Sequence, residues 1–229
     1  MTDCPTSLKI LYQDNHLIAV CKPPGIATQS DSAEGPSLFD QTKQWIKTEG
    51  KKPGNVFLGL VHRLDQPVSG VLLFAKTSKA ASRLSKQFRD RTPQKIYRAI
   101  VTGSPKQATG TLIHYLRKEI SLKATVFPRS APNAKRAELS YIIVESLANG
   151  SLLDVTLHTG RFHQIRAQWA FTGHPILGDV KYGAPYPLPG QQIALYARKL
   201  VIQHPISKEE LSLESPPPPG WPFAGESFH

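Results

Sequence analysis

The chain has 229 residues, 40% of them hydrophobic and 20% charged, the composition of a folded protein with one good-sized core. Its 28 Lys and Arg against 17 Asp and Glu leave a formal charge of +11, so a polyanionic partner is expected. No run reaches the ~18 apolar residues of a membrane span, and the opening MTDCPTSLKILYQD lacks the basic start and apolar core of a signal peptide. Cys4 and Cys21 are too few for a disulfide framework and too far apart for a CxxC metal site, which fits a reducing cytoplasm.

In chain order, residues 8–12 and 17–20 read as two short strands joined by a turn, after which Lys22-Pro23-Pro24-Gly25 forces an extended stretch. Residues 37–48 have helical spacing. Residues 58–61 and 70–75 are apolar strand runs joined by a polar turn with Pro67 and Gly70. Residues 78–91 make a better helix, with Ala81, Leu84, Ser85 and Phe88 in one stripe. Residues 95–101 alternate as a strand, and 102–135, rich in Pro, Lys and Arg, read as hairpins or loops. Residues 139–147 and 152–157 are further strands. After Thr159-Gly160 the spacing becomes helical over 161–171, with Phe162, Ile165 and Trp169 on one side. Residues 193–202 form another core element, and the tail 214–229, with four consecutive prolines, is expected to be extended along the surface or mobile. The sum is one mixed α/β domain without an obvious linker.

Four clusters carry groups able to do chemistry: His62-Arg63-Leu64-Asp65, the strand around Tyr97, the segment from Arg161 to Arg166, and Gly173 to Asp179. Taken singly, each has a plain explanation. Asp65 caps a turn before Pro67, Tyr97 is a half-buried sheet residue, Arg161 and Arg166 are solvated charges or phosphate ligands at a helix start, and His163 is a structural histidine. The five-residue spacing of His158 and His163 is wrong for a zinc pair on one helix face. Ser69 lies outside any GxSxG setting, and no phosphate-cradling glycine loop is present.

Together the clusters resemble a family. HRLDQPVSGVLLFAKT, KIYRAIVTG and LHTGRFHQIRAQWAFTGHPILGDVKYG, with the opening ILYQDNHLIAVCKPPGI, are similar in content and order to the RluA-type RNA pseudouridine synthases over about residues 8–202. The resemblance implies an α/β (α+β) fold, a mixed, mostly antiparallel sheet with flanking helices and a central RNA-binding cleft, over residues 1–213, followed by the Pro-rich tail. It implies isomerisation of uridine to pseudouridine in ribosomal or transfer RNA by a monomer that needs no cofactor, metal or membrane. Because the matching segments begin near the first residue, the small RNA-binding domain that precedes the catalytic one in some members is expected to be absent.

By the same resemblance, Asp65 matches the catalytic aspartate, Tyr97 the tyrosine against the target base, and Arg166 the arginine paired with the aspartate. Arg63 matches the arginine that fills the space left by the flipped uridine, and His62, Arg161 and His163 are expected to join it in binding RNA. Arg166 is expected to hold the pKa of Asp65 down. Three departures bear on packing behind the cleft and on the target: Val68 and Phe162 where the family usually has Thr, and Gln168-Trp169 where it has His-Leu. Two other readings stay open. One is a basic RNA-binding protein of this fold without catalysis; the other is a nucleoside hydrolase or glycosidase, which wants two opposed carboxylates.

Overall fold

The computed structural model describes residues 8–29, 35–50 and 54–222, so Cys4 lies outside the described residues. Strands β1 (Ile10–Gln13) and β2 (Leu17–Lys22) form a hairpin turned by Asp14, whose carboxylate accepts the N–H groups of His16 and Leu17. Helix α1 (Leu38–Glu49) starts at Ser37, whose hydroxyl accepts the Asp40 N–H while Asp40 accepts from the Ser37 backbone, a reciprocal cap. Next come β3 (Gly59–Leu60), β4 (Ser69–Ala75) and α2 (Ser78–Asp90), the last capped by Thr77. Five strands follow: β5 (Gln94–Thr102), β6 (Thr109–Lys118), β7 (Ala124–Phe127), β8 (Lys135–Leu147) and β9 (Gly150–Leu157). Helix α3 (Gln164–Phe171), β10 (Leu195–Gln203) and β11 (Glu210–Glu214) complete the fold.

The strands make one sheet in the order β1-β2-β4-β10-β5-β9-β8-β6-β7, with β3 beside β4 and β11 beside β10. Every pairing but one is antiparallel. The exception, β4 with β10, is a seam held only by Ser69–Tyr196 and Gly70–Ala197. Gly70 sits at φ +114°, and a Cβ there would stand 2.2 Å from the Ala197 carbonyl oxygen. Glycine is therefore what lets the two halves of the sheet close. No helix among the described residues is long and apolar enough to cross a membrane.

Residues 17–20 and 69–75 are buried on both faces, which is why they read as unbroken apolar runs. Leu17, Ala19, Val71 and Leu73 pack under α2, while Ile18, Val20, Leu72 and Phe74 join α1 and α3 in the larger core. Several expectations shift. The stripe of α2 is built on Ala80 and Leu84, with Ala80 taking the place given to Ser85. The section 102–135 holds, as expected, a hairpin, that of β6 and β7. Helix α3 begins at Gln164 because His163 has φ 52°, so Phe162 falls before the helix and packs with Val126 and Tyr182, away from Ile165 and Trp169. The tail is extended but anchored through residue 222: the Ser215 N–H donates to the Arg198 carbonyl, and Trp221 meets Tyr196 edge-on at 4.7 Å. Residues 223–229 lie outside the described residues.

Candidate active site

The loop 62–68 leads into β4 at the sheet seam, and its shape is imposed by buried polar groups around it. Thr28 clasps Leu64 from both sides, its hydroxyl donating to the Leu64 carbonyl at 2.8 Å and accepting the Leu64 N–H at 3.1 Å. Lys22, with no exposed surface, donates to the carbonyls of Pro23, Gln66 and Val68 at 2.8–2.9 Å. Three acceptors match the three protons of an ammonium, although burial pulls its pKa down to about 7 against the pull of Asp65. The Val68 N–H returns to the Asp65 carbonyl and closes the turn. Asp65 is thus presented on a fixed loop with its side chain 27% exposed.

Arg166 comes to it from the first turn of α3, 101 residues away in sequence. Its Nη1 donates to Asp65 Oδ2 at 3.2 Å. Its Nε and Nη2 fork onto Asp179 at 2.6 and 2.9 Å, and Asp179 is 1% exposed. One guanidinium therefore bridges two carboxylates, with the bidentate contact going to Asp179. Burial pushes the Asp65 carboxyl above its ordinary value, opposed by Arg166, Lys22 and Lys181. Sequence reasoning expected Arg166 to win this balance. Loss of water around a mostly enclosed carboxylate outweighs it.

His163 stands on the other side, Nε2 3.6 Å from Asp65 Oδ2. Its left-handed backbone turns the ring back over the site. Tyr182 Oη accepts the Ala124 N–H at 2.8 Å and lies 2.8 Å from His163 Nδ1, which ties the ring to Tyr182 and leaves Nε2 toward Asp65. Burial, with Arg166 and Lys181 adding, drives the His163 pKa to about 3, so the ring is neutral. Phe162 stacks on it at 3.8 Å and 19°, and Lys118 lies over the Phe162 ring at 4.9 Å. One of the three family departures thus braces a site residue. Another fills the space behind the helix. Gln168 is fully buried and donates to the Leu112 carbonyl, while its Oε1 and the Trp169 Nε1 have no hydrogen-bond partner among the described residues.

Tyr97 reaches the same place along a row of register. Gly70 pairs with Ala197 across the seam, and Ala197 pairs with Tyr97. Directly paired residues share a sheet face, so Tyr97 stands on the face of Ala197 and Gly70. Burial, and then Asp65, push its phenol well above the ordinary value, so it stays protonated at neutral pH.

The structure thus gathers Asp65, Tyr97, Arg166 and His163. Arg63 is exposed and makes no hydrogen bond or ion pair among the described residues, a cation free to leave the surface. Arg161 is half-buried and spends its Nε on the Arg136 carbonyl. His62 corrects the expectation of an RNA contact. Its Nε2 accepts the Leu73 N–H at 3.0 Å, its ring stacks on Phe88 at 4.8 Å, and burial followed by Lys95 lowers its pKa to about 3. It packs α2 onto β4. Lys22, Asp179 and Tyr182 were missed as site residues. The signal for Lys22 was a lysine ending the apolar run LIAVCK, and the other two lie in the motif LGDVKYG.

Chemically, the site offers a partly exposed carboxylate, a protonated phenol near it, and a free arginine on the loop carrying the carboxylate. The second carboxylate, Asp179, is closed off by the Arg166 fork.

Comparison with known proteins finds several likenesses. Residues 16–171 match the family model described as RNA pseudouridylate synthase. The dual-specificity RNA pseudouridine synthase RluA of Haemophilus influenzae is 34% identical over 217 residues, covering 91% of this chain and 92% of that one. The ribosomal large subunit pseudouridine synthase C of Vibrio parahaemolyticus is 32% identical over 213 residues, covering 90% of this chain; the chain spans 65% of that relative's length. The solved structure of human RNA pseudouridylate synthase domain containing 4 superposes with a TM-score of 0.77 at 26% identity, covering 93% of this chain and 90% of that one.

Proposed function

Because the chain belongs to the RNA pseudouridylate synthase family, we propose that it isomerises uridine to pseudouridine in ribosomal or transfer RNA, with Asp65 as the reacting carboxylate. The observation that carries this reading is the bridge of Arg166 between the buried Asp179 and the partly exposed Asp65. It holds a partly exposed carboxylate near the Tyr97 ring. A uridine turned out of its stack costs a few kcal/mol, and Arg63 offsets part of that by occupying the vacated position. The ionised Asp65 either bonds to the sugar C1′ as the glycosidic bond breaks or removes the C2′ proton to give a glycal. The freed uracil stays against the Tyr97 ring, turns, and is rejoined through C5. A protonated Tyr97 relays the C5 proton rather than taking it as a phenolate.

The hydrolase alternative loses support at Asp179. A glycosidase needs a second available carboxylate, and both oxygens of Asp179 are occupied by Arg166. The test is release of tritium from RNA transcribed with 5-tritiated uridine, for wild type and Asp65→Asn. Release by wild type, loss in the variant and near-normal RNA affinity in both are expected. Turnover by clean Asp65→Asn protein, or free uracil as the product, would overturn the reading. Pseudouridine mapping in total RNA with and without the gene would then name the target.

A further inference from the structure

Lys95 is half-buried and makes no hydrogen bond or ion pair among the described residues. An enclosed ammonium without an acceptor is costly, so its position calls for a missing anion. It lies two residues before Tyr97 on β5, about 7 Å along the strand, and its partner on β10 is Leu200, which packs with α2. One residue beyond the Ile96–Thr156 pair, it stands beside the start of the 158–163 loop that carries Arg161. Its charge is also felt by His62, on the loop that carries Arg63 and Asp65.

Arg91 is the second oddity. It ends α2 at φ 61°, a position that ordinarily goes to glycine. A non-glycine residue held there carries backbone strain. Its side chain is exposed and unpaired among the described residues. Arg91 lines one cleft with Gln94, Leu157, His158 and Thr159, the residues beside Lys95 and at the start of the Arg161 loop, and after burial its charge lowers the pKa of both Lys95 and Arg161. Arg161 uses only its Nε, on the Arg136 carbonyl at 2.9 Å. The nearby acids do not neutralise the group: Glu138 is taken by Arg136, and Asp90 by Lys86.

We propose that Arg91, Lys95 and Arg161 form a phosphodiester site between the end of α2 and the 158–163 loop, gripping the RNA backbone that flanks the nucleotide delivered to Asp65. The identity of the ligand rests on the RNA reading above. Lys95 supplies an enclosed point charge, Arg161 the free edge of its guanidinium, and Arg91 the outermost contact.

The test is binding of a labelled single-stranded oligouridylate to the full chain by fluorescence anisotropy over a series of salt concentrations. Arg91→Gly and Lys95→Met should each weaken binding about five-fold and reduce the slope of log K against log salt by about 0.7, one phosphate contact on a single strand. Lys43→Met, an exposed lysine on α1, should change neither the affinity nor the slope. Arg91→Gly should melt at or above the wild-type temperature, since glycine accepts the positive φ. A stabilised protein with weakened binding is an outcome that a purely structural role would not produce. If Lys95→Met fails to fold, Arg91→Gly decides alone. Wild-type affinity and slope in folded variants, or an equal loss in Lys43→Met, would overturn the site. Binding is read without turnover, so the two readings fail separately. Wild-type protein that grips oligouridylate through these cations but makes no pseudouridine keeps the site and sinks the isomerase, and turnover with unchanged slopes does the reverse.

Discussion

Arg166 gives its planar fork to Asp179 and only its remaining Nη1 to Asp65. The buried carboxylate therefore sets the angle of the guanidinium, and the guanidinium in turn sets the reacting carboxylate. Asp179→Asn should lower stability by about 3–5 kcal/mol, because it leaves a buried arginine with only its single contact to Asp65. Turnover should fall about 100-fold through misplacement of Arg166 alone. Denaturant unfolding and single-turnover product formation check the two effects. Wild-type rates would show that the Asp65 geometry does not depend on Asp179.

Arg166→Lys keeps a charge but cannot span both carboxylates, so it should be impaired rather than neutral. Burial already lifts the Asp65 pKa, so the acid limb of the wild-type rate should lie above an ordinary aspartate's 3.8. In Arg166→Met the limb should move further up, since the strongest opposing charge is gone. A pH–rate profile of both variants is the measurement, and an unmoved limb would detach Arg166 from the ionisation of Asp65.

Tyr97→Phe separates stacking from proton relay. With the ring kept and the hydroxyl gone, the glycosidic bond should still break, but the rejoined adduct should stall, and pseudouridine formation should drop about 100-fold. Tyr97→Leu should be worse, losing about 1–3 kcal/mol of base stacking as well. Equal single-turnover rates for wild type and Phe would leave Tyr97 a stacking surface.

Gly70→Ala should cost more than about 3 kcal/mol, since its Cβ would collide with the Ala197 carbonyl at a seam held by only two residue pairs. Because Tyr97 is registered through Ala197, the surviving folded fraction should also lose activity. An unfolding midpoint equal to wild type would mean that the seam can open without penalty.

His62 is held neutral, its pKa lowered from 6.5 to about 3. Between those values the unfolded chain binds the proton that the folded chain refuses, so folding stability is full above pH 6.5 and is lost as the pH falls through the window. The slope due to this one group reaches about 1.4 kcal/mol per pH unit. His62→Gln keeps an acceptor for the Leu73 N–H but does not titrate, and should flatten the curve there. An unchanged slope between pH 6 and 4 would show that His62 is not sensed.

What the sequence determined by itself is local and chemical. The apolar runs of β2 and β4 marked strands, helical spacing marked α1 and α2, and four ordered motifs resembled a family with a lone aspartate and a distant arginine. Periodicity records which way a side chain points within its own element. It does not record what lies opposite. Only the tertiary structure decided that Ala197 sits between Gly70 and Tyr97, because that row joins three strands far apart in the chain. The same holds for the left-handed turn at His163, which split Phe162 from the helix its spacing suggested. Lys22 looked like the polar end of a strand until three carbonyls from the Asp65 loop and its own neighbour closed around it. The balance on Asp65 was likewise beyond the sequence. A motif names the charges that meet there, but how much water remains between them depends on how the loops pack, and that exclusion of water is what raised its pKa.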